Sequence, residues 1–218
     1  MKKSRFNEDK RKEELFGVWL DNHFYKQMQK KYKSITRNSD AALQKRGVDV
    51  IIENLEGKII YIDEKAALQY INKKIPTFAF EIKNSTSGAQ GWLYNPDYIT
   101  DYYLLAWPNA VDEEIPDAEA FTDTEVMSIK RSKVIQLLAD NGLTEEHILN
   151  LVQQYQGQLD KKNKFEIAPG ITLNFNQSLA EKPINVVVKK DVLSRYANYC
   201  TFVKKNDAIQ YTGRRKYY

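Results

Sequence analysis

Residues 47–65 read Gly47-Val48-Asp49-Val50-Ile51-Ile52-Glu53, then Asn54-Leu55-Glu56-Gly57-Lys58, then Ile59-Ile60-Tyr61-Ile62-Asp63-Glu64-Lys65. Two β-branched runs around a connector containing Asn and Gly predict a β-hairpin. Alternate residues of a strand share a face, so Asp63 and Lys65 point one way and Glu64 the other. Antiparallel pairing returns the end of the second run to the beginning of the first, which sets Asp49 beside Asp63 and Lys65. Two carboxylates and an ammonium at one end of a sheet suit a divalent cation with oxygen ligands, next to a proton donor or acceptor. The competing reading is an ordinary hairpin with charges at its rim.

Upstream, residues 8–33 predict a long amphipathic helix, with Phe16, Leu20, Phe24 and Met28 recurring every four residues. Acidic Glu13, Glu14 and Asp21 lie early in it and Lys30, Lys31 and Lys33 late, as the helix dipole favours. Residues 34–38 read as a connector, and 39–44 as a short helix. Downstream, 66–72 predict a helical turn, Thr77–Lys83 a third strand, and Trp92–Asn95 and Asp101–Trp107 two aromatic strands. Residues 109–123 are acidic, contain Pro116 and read as a surface loop. Helices are expected over Lys130–Asn141, stopped by Gly142, and from Thr144, a suitable N-cap. Later strands are expected at 165–167, 171–175, 184–188 and 198–203, with a helix over 191–196. These elements predict an α/β fold, a mixed central sheet flanked by helices.

The Asp49 strand and the Asp63-Glu64-Lys65 triplet together resemble the PD-(D/E)xK nuclease superfamily, which has the restriction-endonuclease-like fold. Its minimal signature is an Asp at a strand start and an acidic-x-Lys triplet near the end of the next strand. Val48 stands where the name-giving Pro would precede Asp49. The resemblance implies a restriction-endonuclease-like core over residues 1–107 and a C-terminal α+β extension over 108–218, completing or appended to it; a single domain over 1–218 is the other division. It implies a metal-dependent nuclease acting on nucleic acid, DNA first, with Mg²⁺ or Mn²⁺ held by Asp49 and Asp63 and with Lys65 handling the attacking water. An upstream helix often adds an acidic ligand, which points to Glu14, with Glu13 a near-equal choice. A catalytically inactive nucleic-acid- or protein-binding module on the same fold is the alternative. Cutting both strands of a duplex would favour a homodimer.

Other residues carry weaker signals. Glu81-Ile82-Lys83 is a second acidic-x-Lys triplet, so Glu81 is an accessory candidate that competes with a surface ion pair. Gln44 is a further accessory candidate. Arg37, Lys45 and Arg46, and in sequence also Lys58, are the nearest basic residues for phosphate. His23 lies on the apolar side of the first helix and His147 on an exposed one. With Cys200 the single cysteine and two histidines in 218 residues, no tetrahedral zinc cluster and no internal disulfide can form. The aromatics of 90–94 and Tyr102-Tyr103 could stack bases, although alternating aromatics more often build a core.

The formal net charge is +4 and the pI near 8.9, compatible with a polyanion partner but not diagnostic of one. Basic residues gather near both ends (Lys2, Lys3, Arg5, Lys10, Arg11 and Lys12; Lys204, Lys205, Arg214, Arg215 and Lys216). The charged start lacks an apolar stretch and no run has the length of a membrane span, which predicts a cytoplasmic, membrane-free protein.

Overall fold

The computed structural model describes residues 5–159, 162–179 and 181–211. The helices are α1 (Arg5–Leu20), α2 (Lys26–Met28), α3 (Ala41–Gln44), α4 (Arg131–Asp140), α5 (Glu145–Gln156) and α6 (Lys190–Ser194). The strands are β1 (Ser34–Arg37), β2 (Val50–Glu53), β3 (Ile59–Ala66), β4 (Thr77–Asn84), β5 (Tyr102–Ala110) and β6 (Phe121–Lys130). They continue with β7 (Lys164–Ala168), β8 (Ile171–Phe175), β9 (Pro183–Lys189), β10 (Tyr199–Lys204) and β11 (Gln210–Tyr211). The protein is α/β with a mixed sheet and flanking helices. No helix among the described residues is long and apolar enough to cross a membrane.

The chain forms two compact units that interleave in sequence. One takes the residues up to Ile75, Thr100–Ile129 and the chain from Ala197 on; the other takes Pro76–Ile99 and Lys130–Tyr196. The division expected at residue 107 falls inside β5. The first unit holds a seven-stranded sheet in the order β1-β2-β3-β5-β6-β10-β11. Its β1, β2 and β3 form an antiparallel meander, and β3 runs parallel to β5. The hairpin connector turns because Gly57 takes φ +81°, and Asn54 Oδ1 accepts from the amides of Glu56 and Lys58 at 3.0 and 2.8 Å. Asp101 fixes the entry of β5: its amide donates to Tyr61 O at 2.9 Å and its Oδ2 accepts from the Tyr61 amide at 2.9 Å.

The expected apolar stripe of the first helix forms the core of this unit. Phe16, Leu20, Phe24 and Met28 are buried, with Trp19, against Ile60, Ile62, Leu104, Phe121 and Val126. Removal of each such side chain from water is worth about 1.5–3 kcal/mol. The helix is not continuous over 8–33: Asp21–Tyr25 is a π-helical turn, and Gln29–Lys31 a 3₁₀ turn. Two strands differ from expectation. Residues 34–37, read as a connector, pair with β2, and β6 begins within what was read as the acidic loop. Its Thr122-Asp123-Thr124-Glu125 segment conceals the strand alternation.

The second unit holds a four-stranded antiparallel sheet, β4-β9-β8-β7, and helices α4 to α6. Thr144 caps α5 as expected, its hydroxyl accepting from the His147 amide at 3.2 Å, and Gly142 takes φ +74° after α4. Trp92–Asn95 is a turn instead of a strand. The Arg131 guanidinium satisfies the carbonyls of Leu93, Asn95 and Tyr98 at 3.0, 2.6 and 2.6 Å, bonds that a ladder would otherwise supply.

Candidate functional site

The β2–β3 ladder pairs Val50 with Ile62. The regular register stops there: the Asp49 amide also turns to Ile62 O, and Asp49 lies close enough to Asp63 for its charge to act on that acid. The side chain of Asp63 is 1% exposed, and its Oδ1 accepts from Lys65 Nζ at 2.8 Å. Its other oxygen, Oδ2, is enclosed and meets no hydrogen-bond donor. Burial, and after it the Asp49 charge, raises the Asp63 carboxyl to about 7, while Lys65 works in the opposite sense. Lys65 is 30% exposed, so its ammonium borders both the buried acid and solvent.

Asp49 is held from three sides. Its amide donates to Ile62 O at 2.8 Å, its carbonyl accepts from the Asn38 amide at 2.7 Å, and its Oδ2 accepts from the Glu64 amide at 2.8 Å. Asn38 is buried, and its Nδ2 donates to Val48 O at 2.7 Å, so one residue grips both ends of the Val48-Asp49 step. Thr100 Oγ1 donates to Gly47 O at 2.6 Å and ties the approach to Asp49 to the start of β5. Asn38 and Thr100 carry no signal in the sequence, since Asn and Thr in connectors read as ordinary loop residues.

Glu64 faces the opposite side of β3, as alternation requires. Its carboxylate binds Arg37 Nη1 at 2.8 Å and Nη2 at 3.2 Å, which removes it as a further cation ligand. The Ile62 carbonyl is likewise taken by the Asp49 amide. Arg37, expected to meet phosphate, is spent inside the protein: Nε and Nη2 also bind Asp21 at 2.7 and 2.8 Å, and Nη2 binds Gly17 O at 3.0 Å. Burial opposes its charge, but the bonds to Asp21 and Glu64 prevail and hold it firmly protonated. Glu64 is raised above the usual carboxylate range by burial, against the pull of Arg37. Tyr25, buried beside it, is raised well above the ordinary phenol by burial and then by the Glu64 charge.

The helix acid that reaches this region is Glu13, not Glu14. Glu13 is raised by partial desolvation and lies within the fields of Lys65 and Asp49. Glu14 is 67% exposed and pairs with Lys10 at 3.8 Å, one helical turn away. Glu81 belongs to β4 in the other unit, half-exposed beside a register shift between Glu81 and Lys83, and is not among the residues gathered around Asp63. Gln44 Nε2 donates to Asn38 O at 3.1 Å, a structural bond at the end of α3. Lys45 and Arg46 are exposed, four and three residues before Asp49. Lys58 is at the connector, and the five strand steps from Lys58 to Asp63 put it about 17 Å from the acids.

No family model, curated protein or solved structure matches this chain. The chemistry of the site therefore rests on its own geometry. Among the described residues, no three or more His, Cys, Asp and Glu side chains converge as a metal cage. Mg²⁺ does not need one, because it keeps several waters and binds through one or two carboxylates. The enclosed, donor-free oxygen of Asp63 near Asp49 fits that demand. His23 is packed on Trp19, with ring centroids 5.0 Å apart, and its Nε2 lies 3.9 Å from Glu119, in a region lined by Lys26 and Lys205. His147 lies on α5 in the second unit, and Cys200 is half-buried in β10. The basic and aromatic tail Arg214-Arg215-Lys216-Tyr217-Tyr218, and Lys2 and Lys3, lie outside the described residues.

Proposed function

We propose that this protein is a metal-dependent nuclease of the PD-(D/E)xK type, hydrolysing phosphodiester bonds in nucleic acid, DNA first. The observation that carries the reading is the pairing of buried Asp63 with Lys65 at 2.8 Å while its second oxygen has no donor, with Asp49 near enough for its charge to act on Asp63. A meander whose middle strand follows Asp49, an upstream helix bringing Glu13 near, and a mixed sheet agree with a restriction-endonuclease-like core.

In this reading Asp49 and Asp63 hold Mg²⁺ or Mn²⁺. When bound, the ion supplies Lewis acidity, lowering the pKa of a water and neutralising charge on a phosphate oxygen. Asp63 must give up its proton to act as a ligand, and Lys65 stabilises the carboxylate that results. The same ammonium, exposed on one side, would orient the attacking water; where a bound cation lowered its pKa so that it lost a proton to solvent, the neutral amine could accept a proton from that water. Glu13 borders this region and would orient metal-bound water. Lys45 and Arg46 offer phosphate contacts beside Asp49.

The test is incubation of the purified chain with supercoiled plasmid, single-stranded DNA and RNA, with and without Mg²⁺. Expected is Mg²⁺-dependent cleavage of a polymer, lost at least 100-fold in Asp63→Asn and Lys65→Ala. Binding of DNA without cleavage under Mg²⁺ or Mn²⁺ would instead establish the inactive binding module. Hydrolysis confined to mononucleotides would indicate a small-nucleotide phosphoesterase.

A further inference from the structure

On the β2 side the ladder ends before it reaches the acids: Arg37 pairs with Val50 and Val50 with Ile62, the last register partners of β1 with β2 and of β2 with β3, while β3 runs on against β5 through Ala66. Asp49 lies beyond the end of β2, where strand termini ordinarily fray, and Glu64 faces it from within β3. Between them the missing ladder is replaced by a charged clamp. Arg37 takes both oxygens of Asp21 and both of Glu64, and Nη2 also reaches Gly17 O. The Glu64 backbone amide, fixed by that anchor, donates to Asp49 Oδ2 at 2.8 Å. The next residue after Arg37, Asn38, donates its amide to Asp49 O at 2.7 Å.

We propose that Arg37 is a positioning residue: through Glu64 on one side and Asn38 on the other, it sets the Asp49 carboxylate near Asp63. The proposal rests on the reading of Asp49 and Asp63 as the metal-holding pair. Two further features support it. The π-helical turn Asp21–Tyr25 breaks the helix at the segment that supplies both Asp21 and Tyr25 to this cluster, and such turns cluster at functional sites. Gly17 leaves room for the guanidinium, since a Cβ there would lie 3.1 Å from Arg37 Cζ. A network of three charges in which Glu64 is largely buried and Arg37 and Asp21 are partly exposed is a poor way to gain stability compared with apolar packing, whereas it holds one geometry well. Partners that orient a metal ligand typically govern affinity by 10–100-fold.

The experiment uses full-length Arg37→Lys and Glu64→Gln. Two quantities are read: hydrogen exchange of the Glu64 amide relative to the ladder amides of residues 50–53, and Mn²⁺ affinity by electron paramagnetic resonance. Expected in Arg37→Lys is selective acceleration of Glu64 exchange by at least about 10-fold, with Mn²⁺ binding weakened about 10–100-fold. Glu64→Gln should move both in the same direction, and it decides the matter if Arg37→Lys fails to fold. Unchanged Glu64 exchange and Mn²⁺ affinity in a folded variant overturn the proposal. So does acceleration shared equally by all the ladder amides, which is what a merely structural Arg37 would give. If the unsubstituted protein binds no Mn²⁺, the metal reading falls by itself, and Glu64 exchange alone still decides whether Arg37 holds Asp49.

Discussion

Asp63 carries an acid with a folded pKa of about 7 against an ordinary 3.8. Between these values the folded chain retains a proton that the unfolded chain has released, so this group makes stability fall as pH rises from about 4 to about 7. Above that range the loss is complete, on the order of 4 kcal/mol. Asp63→Asn, a neutral mimic of the protonated acid, should therefore be more stable than the unsubstituted protein at pH 8 and closely similar at pH 4. Urea titrations at both pH values in chelator check this; a difference independent of pH would contradict it. Metal binding reverses the order, because Mg²⁺ needs the ionised carboxylate. Saturating Mg²⁺ should raise the melting temperature of the unsubstituted protein more at pH 8 than at pH 6, and leave Asp63→Asn unmoved. A second residue-scale test is Gly17→Ala, whose methyl would press on the Arg37 guanidinium. Set against the roughly 0.5–1 kcal/mol that Ala gains over Gly inside a helix, the expected net change in urea denaturation is within about 1 kcal/mol.

The first helix shows how much of an element can be read from its sequence. Its i+4 apolar stripe is the buried face, and Leu20→Ala should cost about 2–5 kcal/mol by chemical denaturation because Leu20 is fully buried. The π turn was not legible, since no residue in Asp21-Asn22-His23-Phe24-Tyr25 forbids an ordinary helix; tertiary partners for Asp21 and Tyr25 select it. The hairpin was legible because β-branched runs and a Gly-containing connector agree with each other. Strand β1 was not, because Ser34-Ile35-Thr36-Arg37 is too short and polar to announce itself, and its strand character comes from pairing with β2. That miss carried a second one. With β1 unrecognised, Arg37 looked like a loop cation available to phosphate, whereas strand pairing turns it onto Asp21 and Glu64. The choice between Glu13 and Glu14 is likewise set by the helix's rotation on the sheet, which sequence spacing alone leaves open. On α5, where the Thr144 cap was legible, Thr144→Ala should cost about 0.5–2 kcal/mol.

At the scale of the whole molecule, every residue assigned a role at the acids belongs to the unit containing α1 and the seven-stranded sheet. The chain leaves this unit after Ile75, builds part of the other, and returns at Thr100 in time for β5 to run beside β3. A linear division of the sequence could not anticipate such interleaving, because no Pro- or Gly-rich linker marks the crossings. Within the first unit the parallel β3–β5 pairing sets Asp63 level with Tyr103 and Lys65 level with Leu105, two fully buried neighbours in the sheet. Low polarity around the acid is what raises its pKa and what would strengthen its hold on a cation. The most direct measurement is anomalous diffraction from a crystal of the unsubstituted protein soaked in Mn²⁺ at pH 8. A peak bridging Asp49 and Asp63, about 2.1 Å from an oxygen of each, is the predicted result; no peak between them, with Mn²⁺ bound elsewhere or nowhere, would contradict it.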